Sequence, residues 1–239
     1  MNSMRIAIVG GTGTVGREAA RELVRRGHEV RVLARHAPEF PVDVRDGSGL
    51  AAALDGVEVV VDATQGGRSV IVDGTARLLR AEARAGVAHH VGVSIVGIDR
   101  VGGPYYRAKL DQERLVAESG VPWTIVRATQ FHQLVARTFA ATARLGVLPT
   151  AGVPLQPVDP REVARVLADT VEAEPSHAIT QFAGPEVLSA CELAYLWKRA
   201  TGSRALSVPI PAGKALRAGG LTNRGAWRGR VSFAEWLVA

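Results

Sequence analysis

The sequence predicts an α/β chain: a doubly wound, mostly parallel sheet with helices on both faces and a small C-terminal lobe. Two observations carry that expectation. Short apolar runs alternate with amphipathic runs from Ile6 to Val126, and strands separated by helices require crossover connections, which are right-handed in such sheets. Past the sixth apolar run the segments shorten and the aromatic and proline content rises. The expected division is therefore a core over 1–150, also drawing on 156–183, and a lobe over 184–239.

The first element is Ile6-Ala-Ile-Val9, four apolar residues that read as a buried parallel strand. A glycine cluster, Gly10-Gly11-Thr12-Gly13-Thr14-Val15-Gly16, follows at once. A helical pattern then begins, with Val15, Ala19, Ala20, Leu23 and Val24 on one face, and stops at Gly27. Gly11, Gly13 and Gly16 fit G-x-G-x-x-G, and Gly10, Gly13 and Gly16 fit G-x-x-G-x-x-G. Strand, tight turn and helix together make this a dinucleotide signal rather than a chance match. The turn needs residues free of Cβ, the pyrophosphate needs close backbone approach, and the helix must pack on its strand. Amide groups at the helix N-terminus then face the phosphates. The alternative is a glycine turn that serves packing alone.

Glu29 to Ala34 reads as the second strand, ending at Arg35-His36. About 20 residues past the glycines, this is where the adenosine ribose is met. A carboxylate there would accept from a 2′-OH; Arg35 offers donors suited to a 2′-phosphate, so NADP(H) is expected over NAD(H). Val42-Asp43-Val44 reads as a short third strand and Leu50–Leu54 as a brief helix. Asp43 either reaches the adenine edge or caps its loop. Val57 to Ala63 is a buried strand running into Thr64-Gln65-Gly66-Gly67, small and polar residues at the strand end where open α/β sheets bind ligands. Asp73 is expected to cap the next helix and Gly86 to stop it.

The strand His89 to Ile95 holds Ser94 near its end, and Pro104 opens a helix after a glycine-rich loop. On that helix Tyr105 and Lys109 are four apart and share a face. An ammonium one turn from the phenol would lower its pKa. The phenol could then protonate a carbonyl oxygen as hydride arrives, and Ser94 would hold that oxygen by a hydrogen bond. The competing reading is an incidental pair on a solvated helix. Trp123 to Val126 is the sixth strand, and a helix through Ala136, Phe139 and Ala140 follows. His89 and His90 point to opposite faces, and no spacing suits zinc, so no metal is expected. Asp159…Glu162, Ser189…Glu192 and Ser232…Glu235 read as capping boxes.

Composition narrows the classes. The chain has 239 residues, 47% of them hydrophobic, with mean hydropathy +0.09, which is globular rather than disordered. No apolar run reaches the ~18 residues of a membrane span. The start, Met-Asn-Ser-Met, runs straight into the first strand, so no signal peptide is expected. Cys191 is the single cysteine; no internal disulfide can form, and a cytoplasmic setting is expected. The net charge of +6 comes mostly from arginines scattered along helices, with a denser group at Lys214, Arg217, Arg224, Arg228 and Arg230. Scattered charge is a solvated face, so a small-molecule substrate is expected rather than nucleic acid.

With these residues in place, the chain resembles the atypical branch of the short-chain dehydrogenase/reductase superfamily that includes NmrA-like proteins. The carriers are GGTGTVG after the first strand, Ser94, the YxxxK pattern from Tyr105 to Lys109, and RATQFH after the sixth strand. LQPVDPREVA and AGPEVLS extend the likeness over nearly the whole chain. The resemblance implies a Rossmann-type core that binds NADP(H) at the glycine turn, with Ser94, Tyr105 and Lys109 as catalytic residues. It also implies cofactor contacts from Lys109, Thr129 and Gln130, and a substrate pocket bordered by Gln130, Phe131 and His132. Tyr105 follows Ser94 by only eleven positions, few for the family pattern. Three readings follow: an NADPH-dependent reductase of a carbonyl, quinone or related small molecule; a redox-neutral relative such as an epimerase, dehydratase or cyclase; and a nucleotide-sensing regulator.

Overall fold

The computed structural model describes residues 3–239; Met1 and Asn2, the first half of the expected leaderless start, lie outside the described residues. The first half of the chain runs β1 (Arg5–Val9), α1 (Thr14–Arg25), β2 (Glu29–Ala34), β3 (Phe40–Pro41), α2 (Leu50–Ala53), β4 (Val59–Asp62), α3 (Arg68–Ile71), α4 (Asp73–Ala85), β5 (His89–Ile95) and α5 (Pro104–Glu118). Then come β6 (Trp123–Ala128), α6 (His132–Ala143), β7 (Val147–Thr150), β8 (Pro154–Leu155), α7 (Pro160–Glu172) and β9 (Ile179–Ala183). The chain closes with β10 (Leu188–Ser189), α8 (Ala190–Thr201), β11 (Leu206–Pro209), α9 (Lys214–Arg217), β12 (Trp227–Arg228) and α10 (Phe233–Val238).

Eight strands form one sheet in the order β12-β9-β6-β5-β4-β1-β2-β3. β1 lies between β2 and β4 and is parallel to both; β4 is parallel to β5 and β2 to β3. Flanked on both sides, β1 is apolar beyond its first residue, Arg5, and Ile6, Ala7 and Ile8 are fully buried. The order β3-β2-β1-β4-β5-β6 reverses direction at β1, and the crevice at that reversal is where doubly wound sheets bind ligands. The fold is the Rossmann-type doubly wound sheet.

Local differences from expectation have physical causes. Val42–Val44 is not a strand: Phe40 and Pro41 pair with Leu33 and Ala34 instead, and Asp43 makes only an isolated bridge to Ser48. The Asp43 carboxylate accepts the Arg45 amide at 2.9 Å, an Asx turn that bends the chain away from the sheet. Asp73 is the first helical residue of α4 and Val72 occupies the cap. Gly86 ends α4 in the left-handed conformation, φ 71°.

The chain divides into two compact units, each discontinuous in sequence. One holds the chain through Ser94 with Gly103–Arg127 and Val163–Thr180; the other holds Ile95–Gly102, Ala128–Glu162 and Gln181–Ala239. In the first, Val9, Leu33, Leu50, Leu54, Val60 and Leu78 pack together. In the second, Phe139, Leu148, Leu193, Trp197 and Phe233 form a core. There the Ser189/Glu192 and Ser232/Glu235 capping boxes form in full. Glu162, expected to cap α7, spends its carboxylate on the amides of Arg230 at 2.8 Å and Val231 at 3.3 Å.

Candidate active site

The glycine turn has no room for side chains. Gly10 is left-handed, φ +75°, and a Cβ there would stand 2.8 Å from the Ala63 carbonyl oxygen. A Cβ on Gly16 would stand 2.5 Å from the Gly10 oxygen, and one on Gly11 2.9 Å from that of Ile8. Strand, turn and helix therefore approach at backbone distance. Gly13 is the N-cap of α1, no side chain caps it, and the first turn carries no acidic residue. A free amide end without a carboxylate suits an anionic ligand.

Beside this turn lies a cavity of about 580 Å³, within the range of small-molecule and cofactor sites. Of the expected cofactor residues, Gly10, Thr12, Gly13, Thr14, Val15, Arg35, Asp43, Thr64 and Gln65 line it. Gly11 and Gly16 shape the turn behind that lining. His36, Arg45, Gly66 and Val70 also line it; Gly66 belongs to the polar strand end read from the sequence and His36 follows Arg35, whereas Arg45, two residues after Asp43, and Val70 carried no such reading. Arg45 forks onto Asp43, with Nε 3.0 Å from each carboxylate oxygen. That pairing holds the Asp43 carboxyl down to about 2, with a weaker contribution from Arg35. Asp43 thus has its loop-stabilising role, and it remains on the cavity wall. The Thr64 Oγ1 is buried and without a hydrogen-bond partner among the described residues. A cradle that any Cβ would fill and an unspent buried hydroxyl both fit a dinucleotide.

The α5 segment is arranged differently. Pro104 takes the first helical position after Gly103. Tyr105 is 39% exposed, with its ring edge-on to Tyr106 at 5.7 Å. Lys109 is buried, and its Nζ donates to the Val93 carbonyl at 2.8 Å and to Gln112 Oε1. The expected lowering of the Tyr105 pKa by Lys109 is not found. Burial pushes the phenol up, aided by Tyr106; the ammonium is spent on a carbonyl and an amide instead. Burial pushes Lys109 itself down, with Asp62 and Glu113 opposing. Ser94 is buried and its Oγ has no hydrogen-bond partner among the described residues. Lys109 thus docks on the β5 carbonyl next to Ser94, while no hydrogen bond joins the Tyr105 hydroxyl to either residue among the described residues.

Two residues the sequence reading did not mark complete this region. Asp62 and Gln112 are both buried and hydrogen-bonded to each other at 3.0 Å. A charged residue ending the apolar run Val59–Asp62 was the available signal. Alongside, Arg127 forks onto Glu113 at 2.9 and 2.6 Å, a buried ion pair.

In the other unit, Thr129 Oγ1 accepts the Gly184 amide at 3.1 Å. The Gln130 side chain accepts from the Gln156 amide and donates to the Leu221 carbonyl, both at 3.0 Å. Phe131 is the N-cap of α6. His132 is fully buried, donates from Nε2 to the Val231 carbonyl at 3.0 Å, and packs 5.6 Å from both Phe233 and Trp236. Burial pushes its pKa down, so a neutral ring is favoured. Among the described residues no group of three His, Cys, Asp or Glu is placed to hold a metal ion, and no helix is long and apolar enough to cross a membrane.

Comparison with known proteins agrees with this geometry. The (4-alkanoyl-5-oxo-2,5-dihydrofuran-3-yl)methyl phosphate reductase of Streptomyces griseus is 32% identical over 223 residues, 86% of this chain and 75% of its own. An NAD(P)H azoreductase of Xenophilus azovorans is 29% identical over 236 residues, 89% of this chain and 79% of its own. Uncharacterized proteins of Mycobacterium bovis and Mycobacterium tuberculosis are 33% identical over 135 residues, 52% of this chain, and the match spans only 14% of their length. Among solved structures, an NADPH-dependent quinone oxidoreductase of Escherichia coli complexed with NADPH superposes with a TM-score of 0.80 at 18% identity, covering 98% of each chain. Residues 10–174 match the NAD(P)H-binding family. This chain belongs to the NAD(P)H-binding family, of the atypical short-chain dehydrogenase/reductase type.

Proposed function

We propose that this chain, an NAD(P)-dependent oxidoreductase, uses NADPH in preference to NADH to reduce a carbonyl, quinone or related small molecule in the cytoplasm. The observation that carries the cofactor preference is Arg35. It directly follows β2, lines the cavity, and has no ion pair among the described residues, where a carboxylate would favour the 2′-OH of NADH. When bound, NADPH supplies hydride. The amide end of α1 would hold its pyrophosphate and Arg35 its 2′-phosphate. Tyr105 would give the proton to the substrate oxygen. Its raised pKa keeps it a phenol, the form a proton donor needs. Ser94, with an unspent hydroxyl, would steady that oxygen, and Lys109 would set the charge at the β5 end. Relatives named as reductases favour this reading.

The test is NADPH consumption by the purified chain against a panel of quinones and ketones. Substrate-dependent oxidation of NADPH, faster than of NADH, is expected. Product formation without net oxidation would assign a redox-neutral enzyme. Tight nucleotide binding without turnover on an unbiased metabolite panel would assign a sensor.

A further inference from the structure

Four buried side chains join the nucleotide cavity to α5 by consecutive hydrogen bonds. Asp62, 1% exposed, ends β4 two residues before Thr64. Its Oδ1 accepts the Thr64 amide at 2.9 Å. Its Oδ2 accepts the Thr75 hydroxyl at 3.1 Å and the Gln112 amide at 3.0 Å. The second amide proton of Gln112 goes to Thr75 Oγ1 at 2.9 Å, and Gln112 Oε1 accepts from Lys109. Each of these protons goes to its own acceptor, so the direction of every bond is fixed. Turning the Gln112 amide over would set its oxygen against a carboxylate and its NH₂ against an ammonium. One carboxamide therefore connects a buried anion to a buried cation. The same anion holds the backbone of Thr64, whose loop lines the cavity.

We propose that Asp62 and Gln112 are positioning residues: acting through Lys109, they hold its ammonium at the Val93 carbonyl beside Ser94, and they link it to the Thr64–Gly66 loop at the nucleotide cavity. This rests on the reading that Lys109 serves the reductase site. The consequence is reciprocal. Nucleotide binding at the loop shifts the proton affinity of Lys109, and the charge of Lys109 shifts nucleotide affinity by the same factor. Other charges bear on Lys109 or Asp62. Glu113 on α5 is paired with Arg127 on β6. Glu82 on α4 is paired with His90 on β5, and His90 also feels Asp62. Among the described residues, Glu113, Glu82 and His90 make no hydrogen bond to the Gln112 bridge, so variants at Gln112 isolate the link.

The chain has three lysines, Lys109, Lys198 and Lys214, so lysine carrying ¹³C at Cε gives three resonances from the whole protein. The Lys109 signal is the one lost in Lys109→Arg. Its titration midpoint is expected to move when NADPH saturates the parent. Gln112→Met should lower the midpoint by about one pH unit or more, because the ammonium loses its link to the carboxylate, and should abolish the response to NADPH. Asp62→Asn should act in the same direction. Gln112→Glu, which keeps the side-chain shape and sets a carboxylate on the ammonium, should raise the midpoint. A role confined to packing would lower the melting temperature in all three variants and leave the midpoint in place. A midpoint unmoved by Gln112→Met and Gln112→Glu, or by NADPH in the parent, overturns the proposal. The NMR readout needs no turnover: shifts as expected without NADPH oxidation would leave the link standing and remove the reductase reading alone.

Discussion

The glycine turn after β1 and the first two turns of α5 are built from opposite materials. At the turn the chemistry belongs to the backbone: Gly10, Gly11 and Gly16 have neighbours within 3 Å of where a Cβ would sit, and the helix end lies free of acidic or capping side chains. At α5 the chemistry belongs to side chains whose direction depends on residues far away in sequence. Tyr105 and Lys109 share a helix face by spacing, yet Tyr105 is partly exposed and Lys109 is 2% exposed. The first site is determined by what the sequence leaves out. The second is determined by buried partners: the Val93 carbonyl and Gln112 hold the lysine, and Asp62 holds Gln112. A lysine placed one turn from a tyrosine need not tune it.

Substitutions sharpen this contrast. Gly16→Val should have the largest effect, because its Cβ would lie 2.5 Å from the Gly10 oxygen, a backbone atom with nowhere to go. NADPH affinity, measured by fluorescence titration, should fall by about a thousandfold or more; near-parental binding would show that the turn can open. Arg35→Ala should weaken NADPH by roughly ten- to a hundredfold, the worth of charge-assisted bonds to a phosphate, and leave NADH nearly unchanged. Equal loss of both would make Arg35 a loop support. Ser94→Ala on the side-chain site should cost least. A water can replace one neutral donor, so single-turnover hydride transfer should slow by about tenfold or less, with cofactor affinity intact. A loss as large as that from Gly16→Val would mean that Ser94 is structural.

The β-strand and turn pattern was legible where local residues decide it. Glu29–Ala34 alternates and ends at a polar pair, and β2 has those bounds; Gly86 and Pro104 punctuate α4 and α5 as their backbone chemistry requires. Val42–Val44 misled because β-branched residues flank Asp43, whose short-range bond to Arg45 outweighs strand pairing. The cavity residues were legible for a similar reason: Arg35, Thr64 and Gln65 follow strand ends, and strand ends of a doubly wound sheet converge. The network at Lys109 was not legible. Asp62 and Gln112 are 50 residues apart, and periodicity carries no information about which buried polar groups will meet. Glu162 teaches the same lesson, since its spacing to Asp159 suggests a cap while its carboxylate binds backbone 68 residues later.

Tyr105 as the proton donor of an NADPH-dependent reduction is the central claim, and Tyr105→Phe tests it most directly. The ring and its contact with Tyr106 survive, and only the hydroxyl is lost. The measurement is single-turnover hydride transfer from NADPH to an accepted quinone or ketone, beside cofactor titration of the same preparation. A rate lower by roughly 10²–10⁴-fold with NADPH affinity retained is the expected result. Hydride transfer at the parental rate would contradict the claim and leave Ser94 and Lys109 as the groups to examine.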